Sequence, residues 1–434
     1  MLQECHKLEW ETDLPGFVAD VRELMLRKKK ESEARGDSAV YIHLLFRSLC
    51  RETARETRAA IAEAFPQAVV TGMSETLFGI GSQDPLLKIN ITFFGSSQVQ
   101  LLEYLEEPDG YARAGAELGE KLRGMEDVKA VAIYCSGIST DFHKFVSCLA
   151  EGNEEIPFFG ATAGMFEYSA DGEKFRNFFS CSIENDADQQ YVVGRNMYRQ
   201  GVVLAVLAGE DLHVKADYLF GWKPLGKEMT ITETLGTNCI ASIDGMRPTE
   251  IYRRYLNVEP DENFVYNISE FPLGIERNDC LMARVPPRFD EEGRLYFSSD
   301  VYKGEKVRLT YAVHEDLLRG TDSASEAMWE FAPESMYMVV CGNRSIFLKD
   351  KAHLEIDSYR SFAKDLICNY GTSEIYCYHG QGGILNSALV AVGLREGEAH
   401  LASCNCPFKK PQPHRIIPLS ERMATFLDAV TREL

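Results

Sequence analysis

Short apolar strands alternate with amphipathic helices along this chain and lead into glycine-rich segments. That order predicts an α/β fold: two mixed α/β modules built from repeated strand–helix–strand units with glycine-rich strand-end loops. Three observations carry the prediction. Runs such as 39–46 and 128–134 are almost continuously apolar, as strands buried on both faces are. Segments with apolar residues at spacing three and four follow them. The sequence strand, helix, strand, glycine then recurs three times.

The elements follow in order. Residues 14–35 read as a helix, with Phe17, Val21, Leu24 and Met25 on one stripe and Lys28, Lys29 and Lys30 at a solvated end. Gly36-Asp37 breaks it, so residues 1–36 form an N-terminal helical extension. The first unit is a strand at 39–46, a helix at 52–65 stopped by Pro66, and a strand at 68–70 ending in Thr71-Gly72. The second is a strand at 128–134, a helix at 141–150, and a strand at 156–159 ending in Gly160-Ala161-Thr162-Ala163-Gly164. The third is a strand at 336–340 ending in Cys341-Gly342-Asn343-Arg344, a helix at about 356–369, and a strand at 375–378 ending in His379-Gly380-Gln381-Gly382-Gly383. Further strands fall at 86–94, 201–207 and 387–394, and 186–190 reads as a surface loop. A polar stretch at 259–263 sets the module boundary, giving modules at 37–258 and 259–410. Residues 285–293 are a further turn. The last 24 residues, 411–434, read as a connector helix: Ser420 is its N-cap, and Met423, Phe426, Leu427 and Val430 form one stripe.

Composition narrows the function. The 434 residues allow two to four domains, and 45% hydrophobic with 26% charged residues is the balance of a soluble globular protein. The formal charge of −20 repels phosphate backbones and anionic lipid, so neither nucleic acid nor a membrane is the expected partner. The longest nearly apolar run, 202–208, is far shorter than the ~20 residues of a membrane span. The N-terminal segment mixes charges of both signs, unlike a secretory signal, and the expected location is the cytoplasm. The 12 cysteines are scattered, several inside apolar runs, with no Cys-x-x-Cys pair. Cys404-Asn405-Cys406 with His400 lacks a fourth ligand, so no metal and no cofactor are expected.

Among chemistry-bearing motifs, no phosphate loop, dinucleotide fingerprint or zinc-protease motif is present. Gly72-Met73-Ser74-Glu75-Thr76 partly imitates a nucleophile elbow but lacks the second glycine. Cys135 and Cys341 end strands and would need a base such as His143 or His379 to act as nucleophiles; the other reading is two buried structural thiols. Arg344 can pair with a ligand carboxylate or form an internal salt bridge. His379 can contact a ligand or cap a backbone carbonyl. Glycines after strands let backbone approach a ligand, or only make tight exits.

Taken together, the order of these segments resembles the FIST family of intracellular signal-transduction sensor domains. The resemblance rests on Val69-Val70-Thr71-Gly72-Met73-Ser74-Glu75, Phe159-Gly160-Ala161-Thr162-Ala163-Gly164, Gly221-Trp222-Lys223-Pro224, Ile243-Asp244-Gly245-Met246-Arg247-Pro248, Cys341-Gly342-Asn343-Arg344, and Gly380-Gln381-Gly382-Gly383-Ile384-Leu385-Asn386. It spans about 40–401. Gln381 stands where the family often has Glu, and Leu385 where it has His. The resemblance implies a bacterial, non-catalytic sensor of small ligands, amino acids among them. The signal would pass to an output domain such as a diguanylate cyclase, chemotaxis transducer or kinase. Gly72, Ser74, Gly160, Thr162, Arg344, His379, Gly380, Gln381 and Asn386 are then the ligand-binding candidates, expected to line one cleft between the modules. The connector stripe would pair two copies of the chain. The competing readings are a hydrolase or transferase using Ser74 or a strand-end cysteine, and a scaffold that binds only protein.

Overall fold

The computed structural model describes residues 1–8, 14–47, 50–75, 87–105, 110–136, 142–164, 190–261, 263–277, 280–400, 422–423, 426–427 and 429–430. In chain order the first part contains β1 (Leu2–Leu8), α1 (Leu14–Arg35), β2 (Ala39–Arg47), α2 (Arg51–Ala64), β3 (Val69–Glu75), β4 (Leu87–Phe94), β5 (Gln98–Tyr104), α3 (Tyr111–Arg123), β6 (Val128–Ser136), α4 (Phe142–Ala150) and β7 (Phe158–Thr162). Short β8 (Val192–Val193) and β9 (Met197–Tyr198) precede β10 (Gly201–Ala208), β11 (Leu212–Leu219), β12 (Lys223–Leu235) and β13 (Cys239–Ile243). Next come α5 (Pro248–Leu256), α6 (Phe264–Ile268), β14 (Leu273–Arg277), β15 (Cys280–Arg284), β16 (Arg288–Phe289), β17 (Leu295–Tyr296) and β18 (Lys306–Tyr311). The last part holds α7 (His314–Phe331), β19 (Ser335–Cys341), α8 (Gly342–Leu348), α9 (Ala352–Arg360), β20 (Ile367–Gly371), β21 (Ser373–Tyr378), β22 (Gln381–Leu385) and β23 (Leu389–Glu396).

These strands form four sheets, in the orders β1-β4-β2-β3-β8-β9, β22-β21-β7-β6-β10-β5, β11-β23-β19-β20 and β15-β14-β18-β12-β13-β17-β16. The first two expected repeats are the parallel pairs β2/β3 and β6/β7. The third is not formed as expected, because β19 pairs in parallel with β20, which falls where helix was expected, and the strand at 375–378, β21, joins the second sheet antiparallel to β7. The three parallel pairs thus lie in three different sheets. The inner faces of these three sheets meet in one core, where Tyr41, Leu45 and Met73 of the first touch residues such as Ala132 and Tyr134 of the second and Tyr337 and Val390 of the third. Each outer face is roofed by helices. Val21, Met25, Ala54 and Ile61 of α1 and α2 cover the first. Phe145 and Leu149 of α4, with Tyr111 and Ala114 of α3, cover the second. Met328, Ile356 and Tyr359 of α7 and α9 cover the third. The fourth sheet packs on α5 and α6 through Ile251, Tyr252, Phe264 and Ile268.

Helices as short as α4 barely form alone in water, so the sheets they roof hold them. Phe142, Phe145, Val146 and Leu149 recur at helical spacing, and all four are buried. Burying each large apolar side chain stabilises by ~1.5–3 kcal/mol.

Several expectations change. Residues 1–36 are more than a helical extension, because β1 pairs along its whole length with β4 and extends the first sheet. The strand expected to end at Thr71-Gly72 runs on to Glu75, since the polar side chains of Thr71 and Ser74 find buried partners there. The helix expected to reach Asn369 ends at Arg360, and Asn369 lies in β20 beside Val339 of β19. The glycine-rich segments at Gly72 and Gly160 are strand interior, and Arg344 sits in the first turn of α8. Ser420, Cys404 and Cys406 lie outside the described residues.

Candidate functional site

Ser74 is fully buried, and four hydrogen bonds tie it to main chain. Its N–H donates to the Tyr191 carbonyl at 2.9 Å, and its carbonyl accepts from Gly164 N–H at 2.6 Å. Its hydroxyl donates to the Gly164 carbonyl and accepts from Tyr191 N–H at 3.0 Å. This serine fastens two chain segments to β3, with its hydroxyl proton held by a carbonyl and not by a base. Gly72 serves the same packing, because a Cβ there would lie 2.6 Å from the Leu44 carbonyl oxygen of β2. Gly160, at φ +150°, lets β7 close on β6, where a Cβ would meet the Ile133 carbonyl oxygen at 1.8 Å.

From Ser74 the polar seam runs into the C-terminal part of the chain. Thr372 donates its hydroxyl to the Ala163 carbonyl at 2.8 Å and its N–H to the Thr162 carbonyl at 3.0 Å. Asn386 donates to Ser373 Oγ at 3.0 Å and accepts from Ser299 Oγ at 3.1 Å. Arg344 lies behind it, 1% exposed, donating Nε to Glu355 at 3.1 Å and Nη1 to the carbonyls of Leu219, Phe220 and Ser387. Of the two readings of Arg344, the structure forms the internal salt bridge.

His379, Gly380 and Gln381 are elsewhere. His379 (φ 50°) and Gly380 (φ 73°) are the two central residues of the β21–β22 hairpin turn, the positive-φ pair of a type I′ turn. The turn lies beyond Tyr378, whereas Thr162 pairs with Ser373 at the other end of β21. Five residues of strand, about 17 Å, separate them. His379 is half exposed beside Glu155 at 3.3 Å. Ser74, Thr162 and Asn386 thus meet in a closed hydrogen-bonded seam, and Gly380 does not join them.

The strand-end thiols are buried too. Burial pushes Cys135 and Cys341 well above the usual thiol range, and the neighbouring Glu374 adds to the effect at Cys341. A raised pKa removes the thiolate that nucleophilic attack requires. Burial also holds His43 neutral, down at about 3, where it stacks on Tyr134 at 4.2 Å and meets Thr71 Oγ1 at 2.9 Å and Asn369 Nδ2 at 3.3 Å.

Sequence reasoning missed a ligand-sized space among the described residues. A cavity of about 540 Å³ is lined by Arg247, Thr249 and Glu250 at the start of α5 and Arg253 in its last turn, by Pro260, and by Phe289, Asp290, Glu291 and Gly293 of the β16–β17 hairpin. Pro248 in the first turn starts α5, and Thr249 N–H donates to the Gly293 carbonyl at 3.3 Å, which seats the helix on the hairpin. Arg253 pairs with Glu259 at 3.4 Å and Asp290 with Arg294 at 2.6 Å. Among the described residues Arg247, Glu250 and Glu291 form no ion pair, so the cavity wall offers one free cation and two free carboxylates. The 285–293 turn was legible in the sequence. That it faces α5 was not, since the two segments are about 40 residues apart.

Three helix-roofed sheets that share one core, with a charged cavity beside α5, define a mixed α/β protein. The chain belongs to the FIST family: the FIST N domain model matches residues 43–246 and the FIST C domain model residues 248–377. FIST domains are signal-transduction sensor domains. Compared with curated proteins, the chain matches none. Arg247 of the cavity wall falls at the junction of the two matches, and the rest of the lining lies in the second. No group of histidine, cysteine, aspartate and glutamate suited to a metal occurs among the described residues, and none of the described helices is long and apolar enough to cross a membrane.

Proposed function

We propose that the chain is a non-catalytic small-molecule sensor whose ligand carries charges of both signs, as an amino acid does. The observation that supports this is the cavity of about 540 Å³, whose size falls within the range of ligand pockets and whose wall carries Arg247 together with Glu250 and Glu291. The guanidinium suits a ligand carboxylate and the two carboxylates suit an ammonium group. Nothing around Ser74, Cys135 or Cys341 favours the hydrolase or transferase reading. The bound state acts in the bacterial cytoplasm on an output partner of the diguanylate cyclase, chemotaxis-transducer or kinase type. The C-terminal helical residues Met423, Phe426 and Val430, which are 48%, 60% and 36% exposed, offer apolar surface for pairing with a second copy.

The test is thermal unfolding of the full chain against a panel of amino acids and uncharged analogues. A ligand at one hundred times its dissociation constant stabilises the folded state by about 2.7 kcal/mol. At least one amino acid is expected to raise the Tm of the wild type, and Arg247→Ala and Glu291→Ala are expected to abolish that rise while leaving the unliganded Tm unchanged. A panel with no response, or turnover of a responding compound, overturns the reading.

A further inference from the structure

We propose that the corner where the chain crosses from the second sheet to the third is a proton-dependent latch, closed while Glu374 keeps its proton and released when the proton leaves. The inference is independent of the ligand cavity. Glu374 is completely buried in β21, between Ala161 of β7 and Leu385 of β22. Its Oε2 accepts the N–H of Ala388 at 3.1 Å. The carbonyl of that same residue accepts from Cys341 N–H at 3.0 Å. Carboxyl, corner and strand end therefore close one loop of contacts that joins β21, in the second sheet, to β19 and β23, in the third. Oε1 of Glu374 meets no partner at full hydrogen-bond geometry, and the Cys341 thiol is the polar side chain that lies beside the carboxyl.

The surroundings decide what ionisation does. From β19 the facing titratable group is Cys341, and from α8 the nearest charge is Arg344. β7 and β22 present Ala161 and Leu385 at the paired positions, which carry no charge. Arg344 cannot turn to Glu374, because Glu355 of α9 and three carbonyls hold its guanidinium. A carboxylate here would have two main-chain N–H groups, those of Ala388 and of Glu374 itself, and the Cys341 thiol beside it, with no cation in contact. Such a buried charge is costly, and admitting water is the cheapest relief. Burial accordingly pushes the Glu374 carboxyl up to about 8, so the proton leaves within a range that cells visit. Opening would free the corner at 386–388, where Ser387 holds φ 60° and Asn386 grips Ser299 and Ser373.

The experiment is alkylation of the native full chain from about pH 6 to about pH 9, read for Cys341 and Cys135 by peptide mass spectrometry. Dividing by the rate in denatured protein at each pH removes thiol ionisation. One pH unit above a pKa the ionised form outnumbers the neutral about tenfold. Protection of Cys341 is therefore expected to fall about tenfold or more across the range. Cys135, equally buried in β6 and raised by burial alone, keeps its protection. In Glu374→Gln the Cys341 protection is expected to stay flat. Parallel loss at both cysteines, or an undiminished fall in Glu374→Gln, overturns the latch. If that variant does not fold by circular dichroism, the contrast between Cys341 and Cys135 in the wild type decides alone.

Discussion

Arg344 donates to one carboxylate and three carbonyls from a site that water does not reach, which makes it a fastener between α8, α9 and the link from β11 to β12. Removing one partner of a buried pair leaves the other charge uncompensated, at a cost of about 3–5 kcal/mol. Arg344→Met is expected to lose that much in urea unfolding, and adding Glu355→Met should restore part of it. A single variant with unchanged stability would show that the pair is not carrying this load. Glu396 offers the opposite case to Glu374. Burial pushes its carboxyl up, but the hydrogen bonds it accepts from the turn at 95–97 outweigh that and bring it down to about 2. The folded state thus favours the ionised form more than the unfolded chain does. The stability this adds is complete above about pH 4.5, the ordinary value, and is lost as the pH falls through about 2. Glu396→Gln is expected to be less stable than the wild type at neutral pH, with the gap closing by about pH 2, followed by chemical denaturation at each pH.

At the scale of elements, α3 and α4 pack closer than side chains normally allow. A Cβ on Gly115 would lie 2.3 Å from the Phe145 carbonyl oxygen, and one on Gly119 2.9 Å from that of Leu149. Alanine in a helix gains about 1 kcal/mol over glycine in propensity. Overpacking costs ~1–3 kcal/mol, and here the obstacle is main chain that cannot step aside. Gly115→Ala is expected to lower the Tm, and a rise would show that the helices can separate at little cost. Of these elements α4, with the parallel pairs β2/β3 and β6/β7, was legible because its apolar periodicity is local, whereas α3 was not read from the sequence. What escaped was set by distant partners. β20 carries Asn369, which reads as the end of a helix until His43, 326 residues away, supplies a contact for it. Glu374 looks like a polar lead into the strand at 375–378, and nothing local says that it is buried. The glycines near Gly72 and Gly160 look like strand exits, yet they serve close strand packing. The cavity was hidden for the same reason, because its charges are shared between α5 and a hairpin that come together only in three dimensions.

Across the whole molecule the two family modules interlock. β21 and β22, from the C-terminal part, complete the second sheet against β7, and β11, from the N-terminal part, completes the third against β23. Cutting the chain between Met246 and Pro248 would strip β7 of a neighbour and β23 of another. Fragments 1–247 and 248–434 expressed separately are each expected to lack a cooperative thermal transition, while the full chain unfolds in one. Two fragments that melt cooperatively on their own would show that the shared sheets are dispensable.

Thr162 waits for Ser373, 211 positions further along the chain. A ribosome adds about 5–20 residues each second, so β7 stands with an open edge for about 10–40 s during synthesis. Throughout that interval the apolar strand Phe158–Thr162 is a template for any other nascent strand nearby. Yield in the cell should therefore depend on translation speed and chaperone supply more steeply than the finished protein's stability would suggest. Slowing elongation downstream of β7 should increase aggregation even though it changes no residue of the product.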